Sequence, residues 1–238
     1  MIRKVIIIVV EGQSDEFMLK KFLEKRYSTR RINFKVCSGD LLIKSPNTNI
    51  RNTVGNLIKE VIKYEKFKPK DILAVIHLTD TDGCMIDEDV IEIVKDLKLK
   101  TKYELDKILV DSAEQKNRII KRNILKKRNI NKMLGVTEIC KKYNYQLFYF
   151  SRHLELVFFN DINPVEENKS KNARLFARKD PSEFIKIFEE HLPPLEAKEY
   201  LEKYKESWDF IKLETNSLKR YTNFILLLEY LDSFIDNV

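Results

Sequence analysis

Two uninterrupted apolar runs, each followed closely by acidic residues, constrain this chain more than any other feature of its sequence. Residues 5–10 are all valine or isoleucine, and residues 72–78 are nearly as apolar. Runs without alternation are typical of strands that are buried on both faces of a sheet. Apolar residues at helical spacing in 17–23, 54–62 and 87–97 predict helices after these strands. Alternating strands and helices indicate a mostly parallel α/β sheet flanked by helices.

The rest of the chain predicts further elements around this sheet. We expect a short strand at 33–37, a loop at 39–52, a strand or short helix at 103–110, helices at 113–130 and 137–143, an aromatic strand at 145–150, a polar loop at 160–179, and helices at 182–191, 195–207 and 222–236. We therefore divide the chain into an α/β domain, residues 1–160, with a basic helical insertion at about 112–142, and a helical C-terminal extension, residues 161–238.

Composition excludes several protein classes. A chain of 238 residues suits one large domain, alone or with an appendage, and glycine and proline are too scarce for a collagen-like or turn-dense chain. The three cysteines lie far apart and cannot form a disulfide framework, which fits a reducing cytoplasm. The N-terminal apolar run is too short for a signal peptide, and no stretch has the length of a membrane span. We expect a cytoplasmic protein without a membrane partner.

Positive charge is concentrated in one segment. The formal net charge is +7, and residues 116–132 carry eight lysines and arginines without an acid. The predicted nucleic-acid-binding residues come from this segment: Lys116, Arg118, Lys121, Arg122, Lys126, Lys127 and Arg128. Such a local patch indicates a polyanionic partner, although charge alone also fits an ordinary solvated helix face. We place its apolar side at Ile119, Ile120, Ile124 and Leu125.

Three carboxylates follow the two buried runs. Glu11 comes directly after the first run, and Asp80 and Asp82 follow the second. The carboxyl ends of parallel strands lie at one edge of a sheet, so these three side chains are expected to meet there. Oxygen ligands without histidine or cysteine suit Mg²⁺ or Mn²⁺. An Asp-x-Asp sequence by itself is more often a simple turn, and it is the order of the two acidic segments that makes this pattern specific.

The two segments together resemble the TOPRIM domain, the catalytic core of topoisomerases, bacterial primases and several nucleases. They read Val-Val-Glu-Gly at 9–12 and Thr-Asp-Thr-Asp-Gly at 79–83, and the resemblance covers roughly residues 1–155. Glu-Gly-Gln-Ser-Asp at 11–15 is similar to the OLD-like and RloB-like, abortive-infection branch of TOPRIM nucleases. In that branch a further acid follows a later strand, and Glu155 within 151–159 matches it. A topoisomerase or a primase would need additional domains.

The resemblance implies a metal-dependent endonuclease. Its catalytic residues would be Glu11, Asp80, Asp82 and Glu155, with one Mg²⁺ or Mn²⁺ on the first three and a second held by Asp15 and Glu155. The branch also uses a downstream lysine, for which the candidates are Lys169, Lys171, Lys179 and Lys219. The implied substrate is DNA first, with RNA or tRNA as alternatives. The implied setting is anti-phage defence by abortive infection, in the cytoplasm, with a separate ATPase subunit and self-association as further expectations.

Other interpretations of the same residues stay open. The chain can be a TOPRIM subunit that binds nucleic acid or senses a partner without cutting. It can transfer phosphoryl or nucleotidyl groups on a small substrate, or be a response-regulator-like α/β domain. His77 and the aromatic side chains of 145–150 are expected in the core, although aromatic side chains can also stack on bases. His153 is either a phosphate contact or a helix-packing residue.

Overall fold

Strands and helices alternate from residue 4 to residue 80, and the C-terminal part of the described chain is mainly helical. The computed structural model describes residues 4–44, 48–165, 171–172, 175–176 and 180–235. The strands are β1 Lys4–Val10, β2 Ile32–Ser38, β3 Ile72–Asp80, β4 Ile91–Ile93, β5 Thr101–Tyr103, β6 Ile108–Val110, β7 Glu138–Ile139 and β8 Tyr143–Phe150. The α-helices are α1 Gln13–Arg26, α2 Ile50–Tyr64, α3 Ala113–Leu134, α4 Leu154–Phe159, α5 Pro181–Glu190, α6 Tyr200–Ile211 and α7 Phe224–Ile235.

A five-stranded sheet in the order β2–β1–β3–β8–β7 forms the centre of the molecule. Strands β2, β1, β3 and β8 are parallel, and only β7, at one edge, is antiparallel. Helices connect the parallel strands, as crossover connections require. The predicted α/β class with a mostly parallel, helix-flanked sheet is therefore confirmed.

The first apolar run is continuous because β1 lies in the middle of the sheet and is covered on both sides. Its side chains alternate between two cores. Ile6, Ile8 and Val10 pack with α1, α4, α5 and α7 on one face. Val5, Ile7 and Val9 contribute to the core on the other face, with α2, α3 and α6.

The predicted helix at 87–97 is wrong. This segment forms a 3-10 turn, Glu88–Val90, and then strand β4, which belongs to a small second sheet in the order β4–β6–β5. Ile91 and Val94 make backbone contacts with β6, and Ile91 enters a separate small core beside α3. Pairing with a distant strand thus overrides local helical spacing, because Val and Ile also fit a sheet well.

The predicted helix at 137–143 is also wrong. Residues 138–139 form β7, which folds back on β8 through a tight turn in which Cys140 and Lys141 both have positive φ. The aromatic side chains of the following strand, including Tyr145, Phe148, Tyr149 and Phe150, are buried. They belong to the two main cores, as expected.

The C-terminal helices pack directly on the main sheet. The backbone N–H of Tyr149 donates to Oδ1 of Asn223 at 2.8 Å, and the hydroxyl of Thr222 donates to the Tyr149 carbonyl at 2.7 Å. Trp208 of α6 is buried against Tyr149. In the described part of the chain, no helix is both long enough and apolar enough to cross a membrane.

Candidate active site at the carboxyl edge of the main sheet

The connectivity of the main sheet creates a crevice between β1 and β3. From β1 the chain passes through α1 to β2 on one side, and from β2 it passes through α2 to β3 on the other side. Helices α1 and α2 consequently cover opposite faces. Open α/β sheets bind ligands at such a switch point, outside the carboxyl ends of the strands. Glu11 follows β1 here, and Asp80 ends β3.

The end of β3 holds the Glu11 carboxylate in place. Oε1 of Glu11 accepts a hydrogen bond from the Asp80 backbone N–H at 3.1 Å and a short one from the Thr79 hydroxyl. Asp82 lies two residues beyond the strand and has a positive φ of 51°. The side chains of Glu11 and Asp82 keep 12% and 28% of their surface exposed, so the cluster is open to solvent.

A buried lysine from α3 lies between these two carboxylates. Nζ of Lys126 is 2.8 Å from Oε1 and 3.0 Å from Oε2 of Glu11, and 2.5 Å from Oδ2 of Asp82. The Lys126 side chain is 0% exposed. The structure therefore corrects one assignment: Lys126 does not lie on the solvent face of the basic helix but forms the cationic centre of the acidic cluster.

Helix geometry explains why Lys126 points inward. The buried positions of α3 recur at the spacing of one helix face: Ile119, Asn123, Lys126, Asn129, Ile130 and Met133. This face differs from the predicted apolar side, because Ile124 is 58% exposed. The inner face is half polar, and its amides are only partly paired, since Oδ1 of Asn129 is buried without a hydrogen-bond partner among the described residues. Nδ2 of Asn129 donates to the Leu42 carbonyl at 2.7 Å.

Arg122 is a second cation that faces the site. Its Nη2 donates to the Asp82 carbonyl at 2.8 Å, and its Nη1 donates to the Tyr103 hydroxyl at 2.9 Å. Arg152, which follows β8, lies with its guanidinium 4.4 Å from the centre of the same tyrosine ring. Arg122 therefore also departs from the predicted surface patch. It fixes the loop that carries Asp82.

The other predicted nucleic-acid-binding residues stay on the outside of α3. Arg118, Lys121 and Arg128 are exposed, and Lys116 and Lys127 are half-buried. Arg128 and Lys132 also line an open pocket of about 490 Å³ with Arg51 at the start of α2.

The carboxylates of the cluster respond to one another and to Lys126. Burial raises the pKa of Glu11 to about 7, with Asp82 and Asp40 adding to the effect and Lys126 opposing it. Burial would also raise the pKa of Asp82, but the charges of Lys126 and Arg122 hold it below its ordinary value. Burial lowers the pKa of Lys126, and the surrounding carboxylates more than reverse this, so the lysine stays charged.

Asp80 carries the least compensated negative charge. Burial raises its pKa well above the ordinary value, and the charges of Asp15, Glu11 and Asp82 raise it further. Among the residues that the structure describes, no lysine, arginine or histidine forms an ion pair with Asp80. A buried carboxylate in this position favours the approach of a cation.

Asp15 and Glu155 lie in different surroundings. Oδ2 of Asp15 accepts the Gly12 N–H at 3.0 Å and so caps α1, while its charge acts on Asp80. Glu155 is buried in the first turn of α4, and its Oε2 lies 3.3 Å from Nδ1 of His153. His153 caps the same helix by accepting the Leu156 N–H at 3.1 Å, which accounts for this histidine as a helix-capping residue.

The side chains of the acidic cluster are of the chemical type that binds a hard divalent cation. Their donor atoms are carboxylate oxygens only, and the cluster contains more negative charge than Lys126 and Arg122 neutralise. Within the described residues, however, no three acidic, histidine or cysteine side chains converge as a ligand group. Two of the expected ligands, Glu11 and Asp82, are instead bonded to the Lys126 ammonium.

Three residues of the cluster are not apparent from the sequence pattern. Lys126 and Arg122 belong to the predicted surface patch, although the spacing of Lys126 from Ile119, Ile130 and Met133 puts it on the buried face. Asp40 lies two residues after β2, so it follows a strand just as Glu11 does, but its strand is weakly apolar. Burial raises the pKa of Asp40, and among the charges around it those of Lys126 and Asp82 have the largest influence.

Of the four expected downstream lysines, the structure describes Lys171 and Lys219. Lys169 and Lys179 lie outside the described residues. Lys171 is exposed, and Nζ of Lys219 donates to Oδ1 of Asn216 at 3.2 Å. Among the described lysines, Lys126 is the one that forms ion pairs with Glu11 and Asp82.

Comparison of the chain with protein-family models, with curated proteins and with solved structures yields no match. The TOPRIM resemblance therefore depends on the two acidic segments and their positions alone.

Proposed function

We propose that this chain is a Mg²⁺- or Mn²⁺-dependent TOPRIM nuclease that hydrolyses phosphodiester bonds in nucleic acid. The observation that carries the proposal is the cluster at the switch point of the sheet. Glu11 and Asp82 both contact Lys126 there, Arg122 binds the Asp82 carbonyl, and Asp80 lies at the end of the neighbouring strand, where its backbone N–H binds Glu11. Phosphoryl transfer uses both kinds of group. Carboxylates hold the metal ion, and cationic side chains stabilise the negative charge that develops on the phosphate oxygens in the transition state.

The residues of the cluster suit different tasks in this reaction. Asp80, Glu11 and Asp82 would hold the cation, with Asp15 beside Asp80. The bound cation would polarise the scissile phosphate as a Lewis acid. Thr79 and the Asp80 N–H keep Glu11 in a single orientation. Arg122, fixed by Tyr103, holds the Asp82 loop and adds positive charge near the phosphate. Glu155 remains a proposed ligand of a second cation.

The basic surface of α3 supports nucleic acid as the substrate. Arg118, Lys121 and Arg128 are exposed on the helix that also carries Lys126. An open pocket beside this helix is lined by Arg51, Arg128 and Lys132. Lysine and arginine bind a phosphate backbone without sequence preference, and such binding weakens steeply with salt. DNA is the first substrate to test, followed by RNA and tRNA. A role in abortive infection, an ATPase partner, self-association and a cytoplasmic location are proposed on the resemblance alone.

A second candidate function is a TOPRIM subunit that binds nucleic acid or senses a partner without cutting. One observation favours it. Lys126 already forms ion pairs with two of the three central acids, as in a site whose resident cation is a side chain and not a metal.

A cleavage assay tests the proposal directly. The purified chain is incubated with supercoiled plasmid, linear DNA, single-stranded DNA and tRNA, in Mg²⁺, Mn²⁺ or EDTA. We expect metal-dependent cutting that the Asp80→Asn variant lacks. Asp80→Asn should not lower the melting temperature, because the raised pKa of Asp80 shows that its negative charge opposes folding. The control is Asp89→Asn, which changes an exposed acid.

Each result of this assay decides between the two candidates. Cutting by the parent protein and by Asp89→Asn, but not by a folded Asp80→Asn, supports the nuclease. Binding to nucleic acid without cutting in either metal contradicts it and favours the non-cutting subunit.

A further inference from the structure

Lys126 has unusual surroundings for a residue of a basic helix. Its side chain is completely buried, and its ammonium contacts both oxygens of Glu11 and one oxygen of Asp82 at 2.5–3.0 Å. These oxygens belong to two of the three acids that the proposed function assigns to a divalent cation. A metal ion would need the same lone pairs at about 2.1 Å. An ammonium and a metal ion cannot both occupy this position, because like charges repel and the oxygens are already used.

We infer that Lys126 is a built-in competitor for the metal: its ammonium occupies the cation position between Glu11 and Asp82, and a divalent ion binds there only when Lys126 withdraws. This inference rests on the proposed function in that it takes Glu11 and Asp82 as metal ligands. It goes beyond that function by assigning the metal-free protein an internal cation and by making metal binding an exchange of one cation for another.

The charge distribution explains why an internal cation is needed. Glu11, Asp40, Asp80 and Asp82 all lie at the ends of β1, β2 and β3, and Lys126 is among the charges that act on each of them. Without a cation, bringing these carboxylates together would oppose folding. Lys126 offsets this cost most for Glu11 and Asp82, with which it is ion-paired, and less for Asp80, on which its charge acts from farther away. The first contact of an incoming metal is therefore expected at Asp80.

The lysine side chain is suited to an exchange of this kind. Its ammonium is a compact charge on a flexible four-carbon stem, so rotation about the side-chain bonds can change its distance from the two carboxylates. An arginine in a bidentate pair would be held more firmly. The partial exposure of Glu11 and Asp82 gives an incoming ion a path to the same oxygens.

The test measures metal affinity rather than cleavage. Mn²⁺ binding to the full chain is followed by calorimetry and by electron paramagnetic resonance for the parent protein, Lys126→Gln and Lys121→Gln. Lys121 is an exposed lysine of the same helix and serves as the matched control. Removal of the competing ammonium should tighten Mn²⁺ binding by about tenfold in Lys126→Gln, the range of a typical coupling between two binding events. Lys121→Gln should bind as the parent does.

The outcomes separate this inference from the proposed function. Equal or weaker Mn²⁺ binding by Lys126→Gln, with an unchanged circular dichroism spectrum, overturns the competition. Absence of Mn²⁺ binding in all three proteins overturns both the competition and the metal-dependent function. Tighter binding in Lys126→Gln without cleavage by the parent overturns the nuclease and leaves the competition supported.

A second measurement uses the unaltered protein, in case Lys126→Gln does not fold. Acetylation by an N-hydroxysuccinimide ester is mapped by peptide mass spectrometry with and without saturating Mn²⁺. Lys126 should react slowly in the metal-free protein, because it is buried and ion-paired, and several times faster with Mn²⁺. Lys121 should react equally in both. A Lys126 rate that does not respond to Mn²⁺ contradicts the withdrawal.

Discussion

The two faces of helix α3 carry similar residues but have different physical tasks. On the inner face, Lys126 and Asn129 are buried, and each has specific partners in the sheet or its loops. On the outer face, Arg118, Lys121 and Asn131 are exposed to solvent. A charge on the inner face neutralises fixed carboxylates at low dielectric, whereas a charge on the outer face is screened by water and salt.

This difference shows that the number of lysines and arginines in a helix does not measure its nucleic-acid interface. Two of the seven cations predicted to bind nucleic acid, Arg122 and Lys126, are directed at the acidic cluster instead. Removing a cation should therefore change stability on the inner face and polyanion binding on the outer face. The following predictions test this contrast, beginning with the largest expected change in stability.

Lys126→Met should destabilise the metal-free protein by about 3 kcal/mol, because it leaves two buried carboxylates without their cation. Lys121→Met should change the free energy of unfolding by less than about 0.5 kcal/mol. Urea denaturation in EDTA measures both. Similar values for the two variants would remove the distinction between the faces.

His77 should make the protein lose stability in mild acid. It is buried beside the Tyr145 hydroxyl, and burial, assisted by the charge of Lys126, lowers its pKa from 6.5 to about 3. Below pH 6.5 the unfolded chain gains a proton that the folded chain does not bind, so stability falls as the pH falls. Relative to His77→Gln, the parent should lose about 2 kcal/mol between pH 7.5 and 5. Urea denaturation at several pH values checks this, and equal pH dependence would contradict it.

Asn129→Ala should cost about 1 kcal/mol more than Asn131→Ala, because only Asn129 satisfies a buried carbonyl, that of Leu42. Both substitutions change helix propensity in the same way, so their difference isolates the inner-face hydrogen bond. Thermal or urea unfolding of the pair is sufficient. A difference near zero would mean that the hydrogen bond from Asn129 to the Leu42 carbonyl contributes nothing to folding.

The double variant Arg118→Glu/Lys121→Glu should unfold within about 0.5 kcal/mol of the parent protein. It should nevertheless bind DNA more weakly, and the slope of log affinity against log salt should fall by about 0.9 for each lost phosphate contact. Fluorescence anisotropy in EDTA measures binding without cleavage.

Lys20→Glu/Lys21→Glu is the matched control, because it reverses two exposed charges on α1, across the sheet. Loss of affinity in the control equal to that in the α3 variant would contradict a nucleic-acid surface on α3.

Local sequence patterns correctly predicted the elements that are buried on all sides. Strands β1 and β3 are buried on both faces, so their apolar runs are unambiguous, and the acids that follow them had to lie at one edge of a parallel sheet. The segments at 87–97 and 137–143 were predicted wrongly, because each pairs with a strand that the local pattern does not reveal. Short segments with a few Val, Ile or Tyr residues suit both helix and strand, and distant pairing decides between them.

The sequence by itself determined the parallel α/β class and the position of Glu11, Asp80 and Asp82 at the carboxyl ends of neighbouring strands. Both follow from the local pattern of apolar residues and from the common direction of parallel strands. Only the tertiary structure decided that Lys126 is buried, that Arg122 turns toward Asp82, and that Asp40 joins the cluster. The reason is that the sequence of α3 is compatible with more than one buried face. A lysine on this helix can lie either in water or between carboxylates. Which of the two positions Lys126 takes depends on its electrostatic interaction with carboxylates at strand ends that lie more than forty residues away in the chain.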